Sequence, residues 1–288
     1  MSIHKKMPVI AILGTGIMGF PIAKHIHNSG YTVHAWNRTF EKAQPLKKEG
    51  IYVFSEPQDA VKHADIILTV LNDSKAVFDV LNMAAPTISS GTILIQLSTI
   101  GNKATTELAL FAENKGIILY DAPVLGSKQP AENAELVILA SGPESEKSLI
   151  QPIFDVIGKK TVWISDQVGQ SSHLKIVLNH WVFTLTHGIA ESLLLAKSLG
   201  LDPHLVPDLL KGGPLDSTFM QGKAGAMLSD NYDPSFTITN ALKDAKLVAE
   251  SALSVGLDLD GIQASLQRFE KAAESGHGNK DMAATYLI

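Results

Sequence analysis

Two places in this chain carry residues whose types and spacing could do chemistry. Near the start, Gly14-Thr15-Gly16-Ile17-Met18-Gly19 sets three glycines at the spacing of a phosphate-cradling turn. The first glycine of such a motif permits a tight turn, the second lets the backbone approach a pyrophosphate, and the third lets helix and strand pack closely. The amides at the helix start then face the phosphates. Far downstream, Lys175 and Asn179 stand four residues apart in a stretch of helical periodicity, residues 168–199. Four apart means one shared face, so this ammonium and carboxamide are the candidate reacting pair.

The glycine turn has the neighbours it needs. Residues 8–13 form a continuous apolar run, as a strand buried on both faces would. Residues 20–28 have helical spacing with Gly30 beyond them as a stop, and 31–36 read as the next strand. The alternation goes on: a helical turn at 59–63, a strand at 64–71, a helix at 73–83 and a strand at 91–97. Then come a helix at 105–115, strands at 116–120 and 135–140, a helix at 144–157 and a last strand at 161–164. This order predicts an α/β fold, a Rossmann-type doubly wound and mostly parallel sheet, over residues 1–166.

Residues 167–199 are predicted to form one long interdomain helix, about 45 Å in length. Leu174, Val177 or Leu178, Trp181, Leu185 and Leu195 recur along it at helical spacing. Lys175, Asn179, His180, His187 and Glu191 interrupt it too often for a membrane span. It is better read as a beam between two halves. Beyond it, residues 203–211, 241–255 and 261–275 read as helices, separated by breaks at 212–214 and 232–234. No run there reads as a strand, so residues 200–288 are expected to be an all-α C-terminal domain.

Composition narrows the function. The 288 residues are 45% hydrophobic and 18% charged, enough apolar material for two cores. A formal charge of −5 without a dense basic run argues against nucleic acid or an anionic membrane as the partner. Cysteine is absent, which removes disulfides, thiolate nucleophiles and cysteine metal sites. The first residues lack the long apolar core of a secretory signal and read as the first strand, so a cytoplasmic address is the default. His173, His180 and His187 repeat every seven residues, about 10.5 Å apart along a helix axis, too far to share one metal. No metal site is expected, and these histidines read as interface or solvated residues.

The second strand ends in Asn37-Arg38-Thr39. An NAD enzyme places a carboxylate there for the ribose 2′-hydroxyl. A carboxylate would repel a 2′-phosphate, whereas an amide, a guanidinium and a hydroxyl would bind one. The expected cofactor is therefore NADP(H) rather than NAD(H).

With these residues assembled, the chain resembles the β-hydroxyacid dehydrogenase family, related to 3-hydroxyisobutyrate dehydrogenase. Four motifs carry the resemblance in order along nearly the whole chain. They are Gly14-x-Gly16-x-Met18-Gly19 with Asn37-Arg38-Thr39, the run Asp121-Ala122-Pro123-Val124-Leu125-Gly126-Ser127, Gly169-x5-Lys175-x3-Asn179, and Phe236-x6-Lys243-Asp244. The continuation through Lys128-Gln129-Pro130-Ala131-Glu132 looks most like the glyoxylate/succinic semialdehyde reductase branch.

The resemblance implies roles. Lys175 would be the catalytic lysine, with Asn179 orienting it or the substrate. Gly14, Thr15, Gly16, Ile17, Met18, Gly19, Asn37, Arg38, Thr39, Leu71, Thr99 and Lys243 would hold the cofactor. Ser98, Thr99, Leu125, Gly126, Ser127, Asn179, Phe236 and Asp244 would hold the substrate, with Phe236 and Asp244 closing its pocket. The physics agrees for the lysine: hydride delivery to a carbonyl builds charge on oxygen, which a cation stabilises and can protonate. Such a lysine would titrate well below its usual value of about 10.4. Two departures are visible. Leu125 stands where the family usually has Ser, and His180 where it often has a second Asn.

The function expected is thus an NADPH-dependent reductase of a small aldehyde or 2-oxo acid, glyoxylate and succinic semialdehyde leading. Within the family, 3-hydroxyisobutyrate oxidation is the alternative. Imine reductases share the architecture but usually lack this lysine. A non-catalytic NADP-binding scaffold is the alternative of another class. The apolar long helix, and the family, imply a homodimer or homotetramer.

Overall fold

Short apolar runs, each ended by glycine or a polar residue, become the strands of the first half. The computed structural model describes residues 7–288. In chain order these are β1 (Val9–Leu13), α1 (Gly19–Asn28), β2 (Thr32–Trp36), α2 (Phe40–Ala43), β3 (Tyr52–Phe54), α3 (Pro57–Val61), β4 (Ile66–Thr69), α4 (Ser74–Ala84) and β5 (Ile93–Gln96). Next come α5 (Asn102–Lys115), β6 (Ile118–Asp121), β7 (Val124–Leu125), α6 (Lys128–Glu132), β8 (Leu136–Ser141), α7 (Lys147–Ile157) and β9 (Gly158–Ser165). The rest is helical: α8 (Gln170–Ser198), α9 (Leu205–Leu210), α10 (Thr218–Leu228), α11 (Ile238–Ser254) and α12 (Asp260–Ala272).

The nine strands form one sheet in the order β3-β2-β1-β4-β5-β6-β8-β7, with β9 also on β8. Strands β1 to β6 pair in parallel. The chain moves one way from β1 to β3 and the other way from β4 onward, so the topology switches between β1 and β4. Ala122-Pro123 breaks β6 from β7, since proline brings no amide to a ladder. Both pieces pair antiparallel with β8, which pairs parallel with β9. Alternate residues of β1 enter the two faces. Ile10 and Ile12 join the cluster that holds Ile22 and Ile26 of α1, and Ala11 and Leu13 join Val77 and Leu81 of α4. Burying each such isoleucine or leucine contributes about 1.5–3 kcal/mol.

The chain divides inside α8 into two units, one ending at Lys175 and one starting at Ile176. The core of the second unit is built on Ile176, Phe183, Ala190 and Leu193 of α8 against Ile238, Ala241 and Ala245 of α11 and Ile262 and Phe269 of α12. Beyond α8 the described residues contain no strand, only an isolated bridge between Thr237 and Asp281. No helix among them is long and apolar enough to cross a membrane.

Several local expectations need correction. On α8, Val177, Trp181 and Leu195 are exposed (63%, 59% and 61%), not part of the buried stripe. The buried line runs Ile176, Asn179, Phe183, Thr186 and His187, Ala190, Leu193. Its polar members hide it from a search for apolar periodicity. α10 was missed because Gly222 and Gly225 break its apolar pattern; Ser217 caps it by accepting from the Met220 amide. β3, β7, α2 and α6 are too short to show a period. α5 begins a turn early, at Asn102 after Gly101, and α7 late, at Lys147.

Candidate active site

The glycine turn closes on itself. Gly14 has φ 106°, and its amide donates to the Trp36 carbonyl (2.9 Å). A Cβ there would lie 2.2 Å from the Val70 carbonyl oxygen, just past β4. At Gly19 a Cβ would fall 1.9 Å from the Gly14 carbonyl oxygen. At Gly16, by contrast, a Cβ would meet nothing within 4 Å. The Thr15 hydroxyl is buried without a hydrogen-bond partner, and no side chain caps α1. A turn with one open side, an orphan hydroxyl and uncapped helix amides suits a pyrophosphate. It stands where the topology switches, which is where such sheets bind ligands. These residues fit a dinucleotide.

At the end of β2, Asn37 Oδ1 accepts from the Thr15 amide (3.1 Å) and its Nδ2 donates to the Thr39 carbonyl (2.9 Å). Both ends of the carboxamide are therefore engaged by backbone, tying the glycine turn to β2. The exposed groups there are Arg38 and Thr39.

One polar residue ends each of β4, β5, β6 and β8, and the register aligns them. Thr69 of β4 pairs with Gln96 of β5, Gln96 with Asp121 of β6, and Asp121 with Ser141 of β8. All four are fully buried. Thr69 Oγ1 donates to Gln96 Oε1, which also accepts from the Ser98 amide (3.2 Å). Gln96 Nε2 donates to the Ser98 carbonyl (2.9 Å). Ser98 Oγ accepts from the Leu71 amide (2.8 Å) and donates to the Thr69 carbonyl (3.3 Å). The Ser98 hydroxyl thus clamps the ends of β4 and β5, while half-buried Thr99 follows it.

Beyond Asp121, Val124 and Leu125 pair with Ile138 and Val137. Gly126 has φ 128°, with Pro130 and Leu136 filling the place of a side chain. Ser127 precedes α6, whose last carbonyls, of Ala131 and Glu132, are met by His25 Nε2 of α1 (3.2 and 2.9 Å). The helix of the glycine turn and the loop at 125–127 are thereby joined.

α8 starts on the polar row. Ser172 donates through its amide to Asp121 Oδ2 (2.9 Å) and through its hydroxyl to Oδ1 (2.9 Å). Ser171 Oγ reaches Oδ2 (2.8 Å) and the Asp121 carbonyl (2.6 Å), and its amide donates to Ser141 Oγ (3.3 Å). Burial pushes the Asp121 carboxyl above its usual range, opposed by the bonds from Ser171 and Ser172. Lys175 follows one turn later, half-buried. Sequence reasoning named Asp121 only as the first residue of the 121–127 run, gave it no role, and passed over Ser171 and Ser172. The available signal was a lone acid ending an apolar strand and a serine pair one turn before the lysine.

In the second unit, Asn179 Nδ2 donates to Asp244 Oδ2 (2.9 Å), both residues buried. Lys243 Nζ lies 2.6 Å from Asp244 Oδ1 as an ion pair. Asp244 thus holds Asn179 through Oδ2, while Oδ1 is buried beside the Lys243 ammonium without a hydrogen bond. The Phe236 ring lies 6.3 Å from that of Phe183, and the Phe236 amide donates to Asp281 Oδ2 (3.1 Å). Asp281, also missed, gathers Lys223, Ser235 and Ala283 as well.

The three histidines of α8 do not share one environment. His173 is exposed and His180 half-buried, but His187 is a core residue, contrary to expectation. Ser265 Oγ donates to the Gly261 carbonyl (2.8 Å), so it accepts from His187 Nδ1 (3.1 Å). Burial, with Arg268 nearby, lowers the His187 pKa from 6.5 to about 4. Among the described residues no cluster of three or more His, Asp or Glu could hold a metal ion.

Comparison with known proteins covers both units. Residues 9–165 match the NAD binding domain of 6-phosphogluconate dehydrogenase, and 169–288 match the NAD-binding domain of NADP-dependent 3-hydroxyisobutyrate dehydrogenase. The chain is 29% identical to glyoxylate/succinic semialdehyde reductase 1 of Arabidopsis thaliana, over 96% of each chain. It is also 29% identical to the chloroplastic reductase 2 of that plant, over 96% of this chain and 77% of the other. A solved structure of 3-hydroxyisobutyrate dehydrogenase from Salmonella typhimurium superposes with a TM-score of 0.90 at 23% identity, covering 97% of this chain and 99% of that one.

Proposed function

The chain belongs to the β-hydroxyacid dehydrogenase family, oxidoreductases acting on CH–OH groups with an NAD(P)-binding domain, and from that premise we propose that it is an NADP(H)-dependent reductase of a small aldehyde or 2-oxo acid. Glyoxylate and succinic semialdehyde are the substrates we favour, as the names of the two plant relatives suggest. The observation that carries this reading is the setting of Lys175. It is half-buried, on a helix whose first turn is bonded to the carboxyl ends of the strands in the unit that bears the glycine turn.

Bound cofactor supplies the hydride. Lys175 stabilises the charge that develops on the carbonyl oxygen and gives that oxygen a proton from Nζ; in the reverse direction it takes the hydroxyl proton. Leu125, Gly126 and Ser127 present backbone to the substrate carboxylate. Asn179, fixed by Asp244, orients the substrate together with Phe236, and Lys243 serves the cofactor. Arg38 offers a bidentate guanidinium to a 2′-phosphate, with Thr39 beside it and no carboxylate among residues 37–39. Residues 1–166 carry the glycine turn, Arg38 and the 125–127 loop, 167–199 run from the first unit into the core of the second, and 200–288 bring Phe236 and Lys243 and serve assembly.

The second unit leaves Trp181, Leu209, Leu215 and Val255 exposed (59%, 82%, 74% and 71%), surface that a second copy would cover in a homodimer or homotetramer. Sedimentation should then exceed that of a 30.9 kDa species; a 30.9 kDa species at micromolar concentration would count against assembly. A cytoplasmic address goes with this reading.

The central test is a panel of small aldehydes and 2-oxo acids assayed with NADPH and NADH, run with Lys175→Ala. Turnover of the variant should fall by about 10²–10⁴-fold with cofactor affinity retained. Wild-type kcat in Lys175→Ala would remove the lysine from the chemistry.

A further inference from the structure

We propose that Asp121 is a positioning residue for the reaction: its buried carboxylate fixes the first turn of α8 to the carboxyl edge of the sheet and so sets where the Lys175 ammonium stands. This rests on the proton-donor role given to Lys175 above. The carboxylate takes three hydrogen bonds from α8, from Ser171 Oγ, the Ser172 amide and Ser172 Oγ (2.8, 2.9 and 2.9 Å). These donors are 50 and 51 residues away in sequence. A helix start normally finds its acceptor in a local Ser, Thr, Asp or Asn. Here the acceptor belongs to a strand, so capping the helix and docking it are one event.

The same residue is tied the other way along the sheet. Asp121 pairs in register with Gln96, and Gln96 holds both backbone groups of Ser98. The helix start and the strand end that leads into Thr99 are therefore referenced to one buried row. Ser171 is one turn before Lys175 on the same face, so a shift of this turn moves the lysine with it. A fully buried carboxylate is a costly way to obtain stability alone, since apolar replacement of buried ionic groups is often neutral or better. What the carboxylate adds is a direction: acceptors that only one placement of the helix satisfies. Negative charge at a helix N-terminus is also favourably placed.

The test compares Asp121→Asn, Asp121→Ala and the double variant Ser171→Ala/Ser172→Ala with Lys175→Met, on the full chain. Four quantities are read: NADPH affinity by fluorescence, kcat and KM for the best aldehyde of the panel, and amide hydrogen exchange over residues 166–178. The expected result is NADPH affinity within two-fold of wild type and KM within a few-fold. kcat should fall by about 10²-fold in Asp121→Ala, the size of effect an ångström of misplacement produces. Asp121→Asn, which keeps the shape and part of the bonding, should fall less. Exchange in the first turn of α8 should quicken in the same order.

Wild-type exchange and kcat in the serine double variant and in Asp121→Asn would overturn the proposal. So would a loss of NADPH affinity in step with kcat, which would make Asp121 a residue of the general fold. Full turnover in Lys175→Met would instead overturn the proton-donor assignment, with the exchange data still deciding whether Asp121 holds the helix.

Discussion

Asp281→Ala should destabilise the helical unit more than any surface change. The Asp281 carboxylate accepts from Lys223 Nζ (2.6 Å), the Ser235 amide and hydroxyl (3.1 and 2.7 Å), the Phe236 amide (3.1 Å) and the Ala283 amide (3.0 Å). The side chains of Lys223 and Asp281 are 11% and 5% exposed, so truncation leaves a buried ammonium without its partner. Breaking a pair of this kind costs about 3–5 kcal/mol, a large share of a typical stability of about 5–15 kcal/mol. Burial alone would raise the carboxyl pKa, but Lys223 and the hydrogen bonds prevail and hold it below the usual value. A carboxyl lowered on folding stabilises above its unfolded pKa of about 3.9, and that contribution is lost as pH falls through the folded value. Urea denaturation followed by helical circular dichroism, from neutral to acid pH, measures both effects. Lys223→Met/Asp281→Ala should recover more than half of the loss, because the stranded charge is gone. A cost under about 1 kcal/mol for Asp281→Ala, or a double variant no better than the single one, would refute the reasoning.

Two further outcomes follow from the same geometry. Arg38→Ala should raise KM for NADPH by roughly 10- to 100-fold, the loss of charge-assisted hydrogen bonds of about 1.5–3 kcal/mol, and leave KM for NADH unchanged; equal effects on both would place the guanidinium away from the 2′-position. His187 is neutral in the core, its pKa lowered from 6.5 to about 4, so its contribution is complete above 6.5 and is lost as pH falls from there toward 4. Stability should drop by on the order of 3 kcal/mol across that window in the wild type, and His187→Gln should flatten that part of the urea profile.

Much of this was legible because the signals were local. Gly14, Gly16 and Gly19 lie within six residues, and strand, turn and helix follow one another, so the motif and its fold arrive together. Lys175 and Asn179 show themselves through helical spacing. What was not legible depends on residues far apart in sequence. Asp121 reads as one acid in an apolar strand until the sheet brings Gln96 to one side and Ser141 to the other. Asn179 reads as a partner for Lys175, and nothing local shows that its amide also donates to Asp244, 65 residues on. His187 reads as one of three alike on a helical face. Only the packing of α12 makes it different, by bringing up Ser265 and Phe269.

The buried polar row also answers a question the apolar strands leave open. β4, β5 and β6 read Ile-Ile-Leu, Ile-Leu-Ile and Ile-Leu-Tyr before their last residues, apolar on both faces. A strand with one wet face has its register set by alternation, because a slip turns apolar side chains to water. Strands buried on both faces lose that constraint, since a slipped pairing still sets apolar against apolar. Thr69, Gln96, Asp121 and Ser141 restore it. In the observed register they lie level: Thr69 bonds Gln96, Gln96 bonds Ser98, and Asp121 and Ser141 bond the start of α8. In a slipped one, each would be buried without its partner, at a cost of about 1–3 kcal/mol per group. A fully satisfied polar layer in an apolar sheet therefore selects one alignment. The residues proposed for chemistry, Thr99 next to Ser98 and Lys175 one turn past Ser171, follow directly from the two ends of that layer, so the device that fixes the fold also fixes the site.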